Sequence, residues 1–498
     1  MKYNLSEHTL MQLSEFISTN LALNFPKERW DDLTRNITSA SKEFGFSDIE
    51  LFIQHIISTP LNRESIENLA SNLTINETYF WREPQTFEAL TLNLIPELIR
   101  RGNNGEKRIR IWSAGCSSGE EPYSIAIALD SCIPDIQNWN ISILATDINN
   151  LNIMKAKAGI YGQWSFRGTP LWLKEKYFIQ KPANKFELIS SIKAMVRFEY
   201  LNLSEDIYPS TINGTNAIDI IFCRNVLMYF NQDRFRQIAR RLYNSLCNEG
   251  YLIVSASELS IQNFPDYQPV KLREMILYQK SDKQKFEEPL STKEKQLSPV
   301  DTDEYNLEYI VKSVNTESEN FTGEGGLVNE PAKPTIFISN LEEARLQYKA
   351  GNYSLVSEKL QQEAKSIEEH ILLIEAMANL GQLSESIKYC ERAISLYKTD
   401  PGLHYLYSTI LLENNQTDEA IRYLKNSLYL DPDFLLSYYS LGNIYSGQGR
   451  TESSKKCYTN ILSTLNKYKQ DDILFDTGGL TAGRFKEIVS LLIRNIEE

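Results

Sequence analysis

Hydrophobic positions change their spacing several times along the chain. Up to about residue 75 they recur at helical intervals: Leu10, Leu13, Ile17 and Leu21 mark one face, and Ile49, Phe52, Ile53, Ile56 and Ile57 another. Phe44–Gly45–Phe46 interrupts the pattern, and Ser47 with Glu50 predicts a capping box for the helix that follows. Residues 1–75 are therefore expected to form a small helical domain. From residue 108 short apolar runs alternate with amphipathic ones. RIRIWSA (108–114), ISILATDI (141–148), AIDIIFCRNV (217–226), YLIVSASE (251–258) and MILYQK (275–280) read as strands. EEPYSIAIALDS (120–131) and NQDRFRQIARRLYNSLCNEG (231–250) read as helices, the second capped by Asn231 and stopped by Gly250. Strands alternating with helices predict an open α/β sheet.

Residues 281–336 are rich in Glu, Lys, Ser, Thr and Pro, carry GEGG at 323–326 and lose sustained periodicity, the pattern of a flexible linker. Beyond 337 the chain repeats itself. ESIKYCERAI (385–394), EAIRYLKNSL (419–428) and ESSKKCYTNI (452–461) match, with first glutamates 34 and 33 residues apart. That is the tetratricopeptide period. Asp400–Pro401 and Asp431–Pro432 punctuate the units, and a degenerate fourth unit starts near Leu341. Residues 337–470 are expected to be an all-α tetratricopeptide-like domain. Residues 471–498, a glycine turn and an amphipathic helix, are expected to cap it.

Composition excludes several classes. Over 498 residues, 42% hydrophobic and 23% charged is ordinary for globular domains. The net charge of −13, most of it from beyond residue 280, speaks against wrapping nucleic acid or an anionic membrane. No apolar run is long enough to span a bilayer, and MKYNLSEHTLMQLSEF lacks the charge and apolar core of an export signal. Six cysteines without CxxC spacing read as reduced thiols in a cytoplasmic protein. The four histidines are His8, His55, His370 and His404, so chemistry in the α/β region proceeds without an imidazole base or a His-rich metal site.

Four places in that region carry candidate chemistry. The first is the strand–GCSSG–helix turn, where Gly115 and Gly119 allow close backbone approach to a ligand. Its helix opens with Glu120 and Glu121, which complement the helix dipole and are hostile to a pyrophosphate. An acidic, glycine-lined pocket suits an adenosine sugar bearing positive charge, as in S-adenosylmethionine. The second is Asp147, at a strand's carboxyl end and 28 residues past Gly119, which either caps a turn or accepts ribose hydroxyls. The third is FCRNVLMYF (222–230), whose Arg224 and Asn225 face the ligand crevice, while Tyr229 either packs or presents its hydroxyl. The fourth is NETYFWRE (76–83), where Asn76, Thr78 and Arg82 either cap a helix or belong to the site.

Taken together these segments resemble the chemoreceptor glutamate O-methyltransferases of the CheR type. NETYFWRE is similar to that family's N-x-T-x-F-F-R-E, and WSAGCSSGEEPYS (112–124) to its cofactor turn. ATDI (145–148), Asn202–Leu203 and FCRNVLMYF match further segments in order, so the likeness covers roughly residues 1–280. The resemblance implies a Rossmann-like methyltransferase sheet over residues 76–280 with a small inserted β-subdomain at about 171–200. It implies S-adenosyl-L-methionine as cofactor, held by Asn76, Thr78, Arg82, Gly115, Glu121, Asp147, Asn202, Leu203, Asn225 and Val226. Arg82 and Tyr229 are then nearest the chemistry, and no metal is expected.

What the family does implies methyl esterification of glutamates on the cytoplasmic helices of a methyl-accepting receptor. A carboxylate is already ionised at neutral pH and needs no general base, which agrees with the missing histidines. In the family the helical domain helps grip the receptor through basic residues; here Lys27, Arg29, Arg35 and Lys42 are interspersed with Glu28, Asp31, Asp32 and Glu43. Some relatives dock a receptor's C-terminal pentapeptide on a glycine-rich loop of the small sheet. The corresponding stretch here, YFIQKPANKFELISS (177–191), contains no glycine. The repeats are then expected to recruit a peptide or protein partner. Two alternatives keep the fold: a methyltransferase acting on a small-molecule carboxylate, and a non-catalytic scaffold that senses the cofactor.

Overall fold

The computed structural model describes residues 5–21, 23–59, 61, 63–73, 77–103, 107–260, 262–281, 340–474 and 481–497. The segment expected to be a linker falls almost entirely outside these, as do Asn76 and the glycine turn before the last helix. Residues 1–282 and 341–498 form one compact unit.

Four helices open the chain: α1 (Glu7–Leu21), α2 (Trp30–Glu43), α3 (Ile49–Ser58) and α4 (Arg63–Leu73). The apolar faces read from the sequence meet in one core, where Leu13, Ile17, Leu33, Ile37, Phe52 and Ile56 are fully buried. Gly45, with φ +80°, makes the turn before α3. The cap differs from the expected Ser47 box: the Asp48 carboxylate accepts from the Glu50 and Leu51 amides. An ionised oxygen one residue nearer the helix is the stronger acceptor for those free N–H groups.

Helices α5 (Pro84–Ala89) and α6 (Ile95–Asn103), joined by a π-turn at Leu90–Leu94, lead into the sheet. Its strands and helices run β1 (Arg108–Ala114), α7 (Glu120–Cys132), β2 (Asn140–Asp147), α8 (Asn150–Ala158), β3 (Ile160–Gly162), α9 (Leu171–Tyr177), β4 (Phe178–Lys181), β5 (Lys185–Leu188), α10 (Ser190–Lys193) and β6 (Val196–Tyr200). They continue with β7 (Ile218–Phe222), α11 (Gln232–Ser245), β8 (Leu246–Ile253), β9 (Gln268–Leu272) and β10 (Met275–Gln279). The seven-stranded sheet has the order β6-β2-β1-β7-β8-β10-β9. It is parallel as far as β8, with β10 and β9 added antiparallel.

Two expected boundaries move. The helix read through Gly250 stops at Ser245, because Leu246–Ile253 pairs with β7 and Gly250 lies inside that strand. An added Cβ at Gly250 would press on the carbonyl oxygens of Cys247 and Ile218, so the glycine serves close strand approach and not a helix stop. The small sheet is β3-β5-β4, so it begins at Ile160 and ends at Leu188, whereas Val196–Tyr200 is the edge strand of the large sheet. Its β4–β5 turn manages without glycine by placing Ala183 and Asn184 at φ +58° and +54°.

The repeats are four helix pairs, α12 (Asn340–Lys349) with α13 (Tyr353–Glu363), α14 (Ile367–Asn379) with α15 (Leu383–Leu396), α16 (Pro401–Glu413) with α17 (Thr417–Leu430), and α18 (Leu435–Gly447) with α19 (Thr451–Leu465). Asp400 caps α16 by accepting from the Leu403 amide, with Pro401 at the first helical position. The last helix, α20 (Ala482–Glu497), buries Phe485 and Val489 against Tyr458, Ile461 and Leu465. It closes the final apolar face, as a terminal cap must.

One face of the large sheet is unusual. Register puts Arg108 beside Asn140, Arg110 beside Ser142, and Thr146 beside Glu199, so these residues share one side. The apolar side chains alternating with them, Ile109, Ile111, Ile143 and Phe198, pack under α7. Helix α11 covers the first face only farther along, at Trp112, Leu144 and Ile221. A doubly covered parallel sheet normally reads as continuous apolar strands; this one alternates because its amino-terminal corner is covered by the polar inner side of the repeats.

Candidate active site

A pocket opens at the carboxyl ends of β1, β2 and β7, where β2 and β7 leave β1 on opposite sides. That is the switch point at which doubly wound sheets bind ligands. Thr78, Arg82, Gly115, Glu121, Asp147, Asn202, Leu203, Asn225, Val226 and Tyr229 all line it. Asn76 lies outside the described residues.

The turn after β1 is shaped by close approach. Gly115 has φ +83°, and a Cβ there would collide with the Val226 side chain. Both the Gly115 and Cys116 amides donate to the Thr146 carbonyl, at 2.8 and 2.9 Å. Ser117, also left-handed, donates its amide to Asp147 Oδ2 at 2.7 Å, while Oδ1 accepts from the Asn149 amide at 2.8 Å. Asp147 is thus oriented by two backbone donors. Burial nevertheless holds its carboxyl above the usual range, with those hydrogen bonds pulling the other way.

The two acids at the start of α7 have separate tasks. Glu120 turns away from the pocket and accepts from Ser118 and Ser165. Glu121 faces it, accepting from Ser113 Oγ at 2.8 Å and pairing with Arg224 Nη1 at 3.0 Å. Its carboxyl is raised by burial and lowered again by Arg224. Arg224, whose side chain is 2% exposed, also pairs with Glu83 at 3.0 Å and donates to the Arg82 carbonyl at 2.8 Å. One guanidinium therefore joins the end of β7, the first turn of α7 and the 77–83 segment.

That segment is pinned from both sides. Phe80 packs among Tyr161, Phe166 and Phe178, and the Trp81 amide donates to Ser124. Left-handed Trp81 and Glu83 kink the backbone, leaving Thr78, Tyr79 and Arg82 to line the pocket. Arg82 donates to the Glu77 carbonyl at 2.6 Å, and Arg167, stacked over Tyr79, pairs with Glu77. Asn202 Oδ1 accepts from the amide and hydroxyl of Ser204.

Three contributors escape sequence reading. Leu21 and Leu23 of the helical domain line the pocket, and Leu23 forms an isolated bridge with Phe230. The adjoining Asn24 amide donates to the Tyr229 carbonyl at 2.6 Å, and Arg29 lies over the Tyr229 ring at 5.2 Å. The third is Glu258, buried at 4% exposure. Its carboxylate accepts from the amides of Asn225 and Val226 at 2.8 Å each, of Met228 at 3.3 Å and of Ser255 at 3.1 Å. Left-handed Asn225 and the loop carrying Tyr229 hang on this one side chain. Glu258→Ala is expected to raise the KM for cofactor about tenfold or more, from the loss of several charge-assisted bonds. Steady-state kinetics check this; an unchanged KM would remove Glu258 from the positioning of the loop.

The comparisons with known proteins meet this geometry. Residues 76–276 match the family model described as CheR methyltransferase, SAM binding domain. A chemotaxis protein methyltransferase of Borreliella burgdorferi is 33% identical over 260 residues, covering 52% of this chain and 90% of that protein. This chain belongs to the CheR methyltransferase family. Chemotaxis protein methyltransferase 1 of Pseudomonas aeruginosa is 37% identical over 221 residues, 43% of this chain and 76% of its own. The likeness to the same organism's probable biofilm formation methyltransferase WspC, 25% identical over 406 residues, covers 81% of this chain and 87% of that protein. Residues 401–434 and 435–464 match the tetratricopeptide repeat model.

The methyltransferase uses S-adenosylmethionine, and the pocket fits it. Two half-buried carboxylates held above their ordinary range, Asp147 and Glu121, gain from a cationic ligand. Gly115 keeps the floor open, while Ile148, Leu201 and Phe230 offer apolar walls. Bound there, the cofactor supplies an electrophilic methyl group on positively charged sulfur. We propose that Asp147 would accept from the ribose and Glu121 would pair with the ammonium, with Asn202, Leu203, Asn225 and Val226 as surrounding walls.

Proposed function

We propose that this methyltransferase esterifies glutamate side chains on the cytoplasmic helices of a methyl-accepting receptor, and that its repeats recruit the receptor or a partner of it. The observation that carries the reading is that Arg82 and Tyr229 line the same pocket as the acidic pair Asp147 and Glu121, in a chain with no histidine between residues 56 and 369. Such a lining suits an acceptor that is already an anion. The bound cofactor would supply a methyl group on positively charged sulfur, which an oxygen of the acceptor carboxylate would take as the carbon–sulfur electron pair returns to sulfur. A methyl ester forms and no proton moves.

The chain's own residues then bind, orient and exclude water. Arg82 offers a planar pair of donors to a carboxylate, and Tyr229, half-buried with its hydroxyl held protonated by burial, orients the attacking oxygen. Aligning the nucleophile and stripping its hydration supply the rate. Relatives named for chemotaxis, and one named for biofilm formation whose likeness extends into the repeats, support a receptor as acceptor. No helix among the described residues is long and apolar enough to cross a membrane, which accords with an enzyme that meets its receptor from the cytoplasm.

The test is transfer of label from methyl-tritiated S-adenosylmethionine into membranes and extract of the native cell, followed by alkali. Label released as volatile methanol from a receptor band is the expected result. Alkali-stable label, or label on a small molecule, would sink the reading, and tight cofactor binding without any transfer would favour a scaffold. Arg82→Ala is expected to lower kcat/KM for the acceptor about a hundredfold, the loss expected when a reacting carboxylate is no longer held in line. Unaltered turnover would take Arg82 out of the site.

A further inference from the structure

The repeats do not stand clear of the methyltransferase module. Tyr405, Thr409 and Glu413, four residues apart on α16, form one stripe of their inner side, and Leu436, Tyr439 and Asn443 continue it on α18. This stripe faces the polar corner of the sheet described above. Arg110 Nη1 pairs with Glu413 Oε2 at 2.8 Å, with side chains only 7% and 10% exposed. Asn140 Nδ2 donates to the Glu413 carbonyl at 2.7 Å and Arg240 to the Ala350 carbonyl at 2.7 Å.

The repeat turns are shaped for this contact. Gly351 and Gly381 both have positive φ, and a Cβ would strike the Asn244 side chain at the first and come within 2.8 Å of Arg108 Nη2 at the second. Small residues at those turns let the helix pairs sit down on the sheet.

The contact is built yet poorly satisfied. Arg108 Nη1, Arg110 Nε, Glu413 Oε1 and Asn244 Oδ1 are buried without a hydrogen-bond partner. Each such group has given up its hydration without gaining a partner. A cavity of about 590 Å³ remains between the two walls, far from the dense packing of a permanent core. A buried ion pair adds little net stability of its own, while losing one partner leaves a costly bare charge. Burial and the neighbouring Arg108 and Arg197 work against the charge on Arg110, with Glu413 opposing them.

We propose that this contact is a reversible latch: the sheet holds the inner face of the repeats in cis, and a partner segment bearing an arginine opens it by taking the place of Arg110 at Glu413. The class of partner follows from charge: Arg110 is the cation that Glu413 pairs with in the closed state, and an arginine offers the same forked donors to the carboxylate. The proposal rests on the reading above that the repeats recruit a partner. It adds that recruitment and release of the methyltransferase module are one event.

The test uses the full-length chain without any methyl acceptor, so failure to methylate a receptor would leave it untouched. Small-angle scattering gives the radius of gyration, and hydrogen exchange reads the amides of α16 and α18. Glu413→Arg sets two guanidiniums against each other. The radius is expected to rise and those amides to exchange roughly tenfold faster or more, as a docked element becomes a locally open one. Cofactor affinity should not change. Glu413→Gln, which keeps the shape, should move both readouts in the same direction by less, and Arg110→Glu combined with Glu413→Arg should restore the compact state. A short oligo-arginine peptide added to the wild-type chain should speed the same amides, and an oligo-glutamate peptide should not. Unchanged scattering and exchange in Glu413→Arg, a double variant as open as the single one, or equal effects of the two peptides would each overturn the latch.

Discussion

Arg224→Met is expected to lose about 3–5 kcal/mol of stability and to abolish cofactor binding, the outcome of removing one partner from a buried charge network. Arg224 touches three separate stretches through Glu121, Glu83 and the Arg82 carbonyl. Without it, Glu121 keeps the Ser113 hydroxyl and the charge of Arg82 but loses its ion pair, and its carboxyl climbs further. The 77–83 segment loses its tie to β7, so Arg82 is no longer aimed at the pocket. Arg224→Lys should fall between, since an ammonium keeps the charge but not the planar fork that serves three acceptors. Thermal melting with calorimetric cofactor titration checks both effects. The combination Arg224→Met with Glu121→Leu separates them: much of the stability should return, because the one carboxylate left over, Glu83, is 37% exposed, while cofactor binding should not. Full cofactor affinity in the single variant would show that the network serves packing alone.

The sequence makes the shape of this enzyme legible wherever periodicity is local. The helical faces around Leu13 and Phe52, the strands ending at Ala114, Asp147 and Phe222, and the repeat spacing of 34 and 33 residues all depend on neighbours within one element. Boundaries slipped where a long-range partner decided them. Leu246–Gly250 follows α11 without a helix breaker, and pairing with β7 makes it strand. Val196–Tyr200 looks like part of the small sheet until β2 claims it. The alternation Arg108–Ile109–Arg110–Ile111 is plain in the sequence, yet its meaning lies 303 residues beyond Arg110, at Glu413. Site residues were legible when they sat on a recognisable turn, as Gly115 and Asp147 do. Glu258 was not, because a carboxylate whose whole role is to accept backbone amides leaves no pattern in its own neighbourhood.

Cofactor affinity should weaken on acidification, starting at a pH above the ordinary carboxylate range. In the cofactor-free chain burial raises the carboxyls of Asp147 and Glu121. A raised acid favours its protonated form, so the stability these two groups contribute is fully present below their unfolded values. It is lost as pH rises through the folded ones. Above their folded values both are ionised at a cost, and a bound cation offsets that cost and draws those values back down. Linkage then requires binding to release protons in the pH interval between the free and bound values, with tighter binding on its alkaline side. Calorimetry in two buffers of different ionisation enthalpy counts those protons directly. Asp147→Asn should remove much of this acid limb and weaken binding by about 1.5–3 kcal/mol, roughly ten- to hundredfold, the worth of hydrogen bonds to a charged group. Glu121 is shielded by Arg224, so the residual limb in Asp147→Asn should be the shallower one. A wild-type affinity that is flat through the acid range, together with an unweakened Asp147→Asn, would place the cofactor's sugar somewhere other than the end of β2.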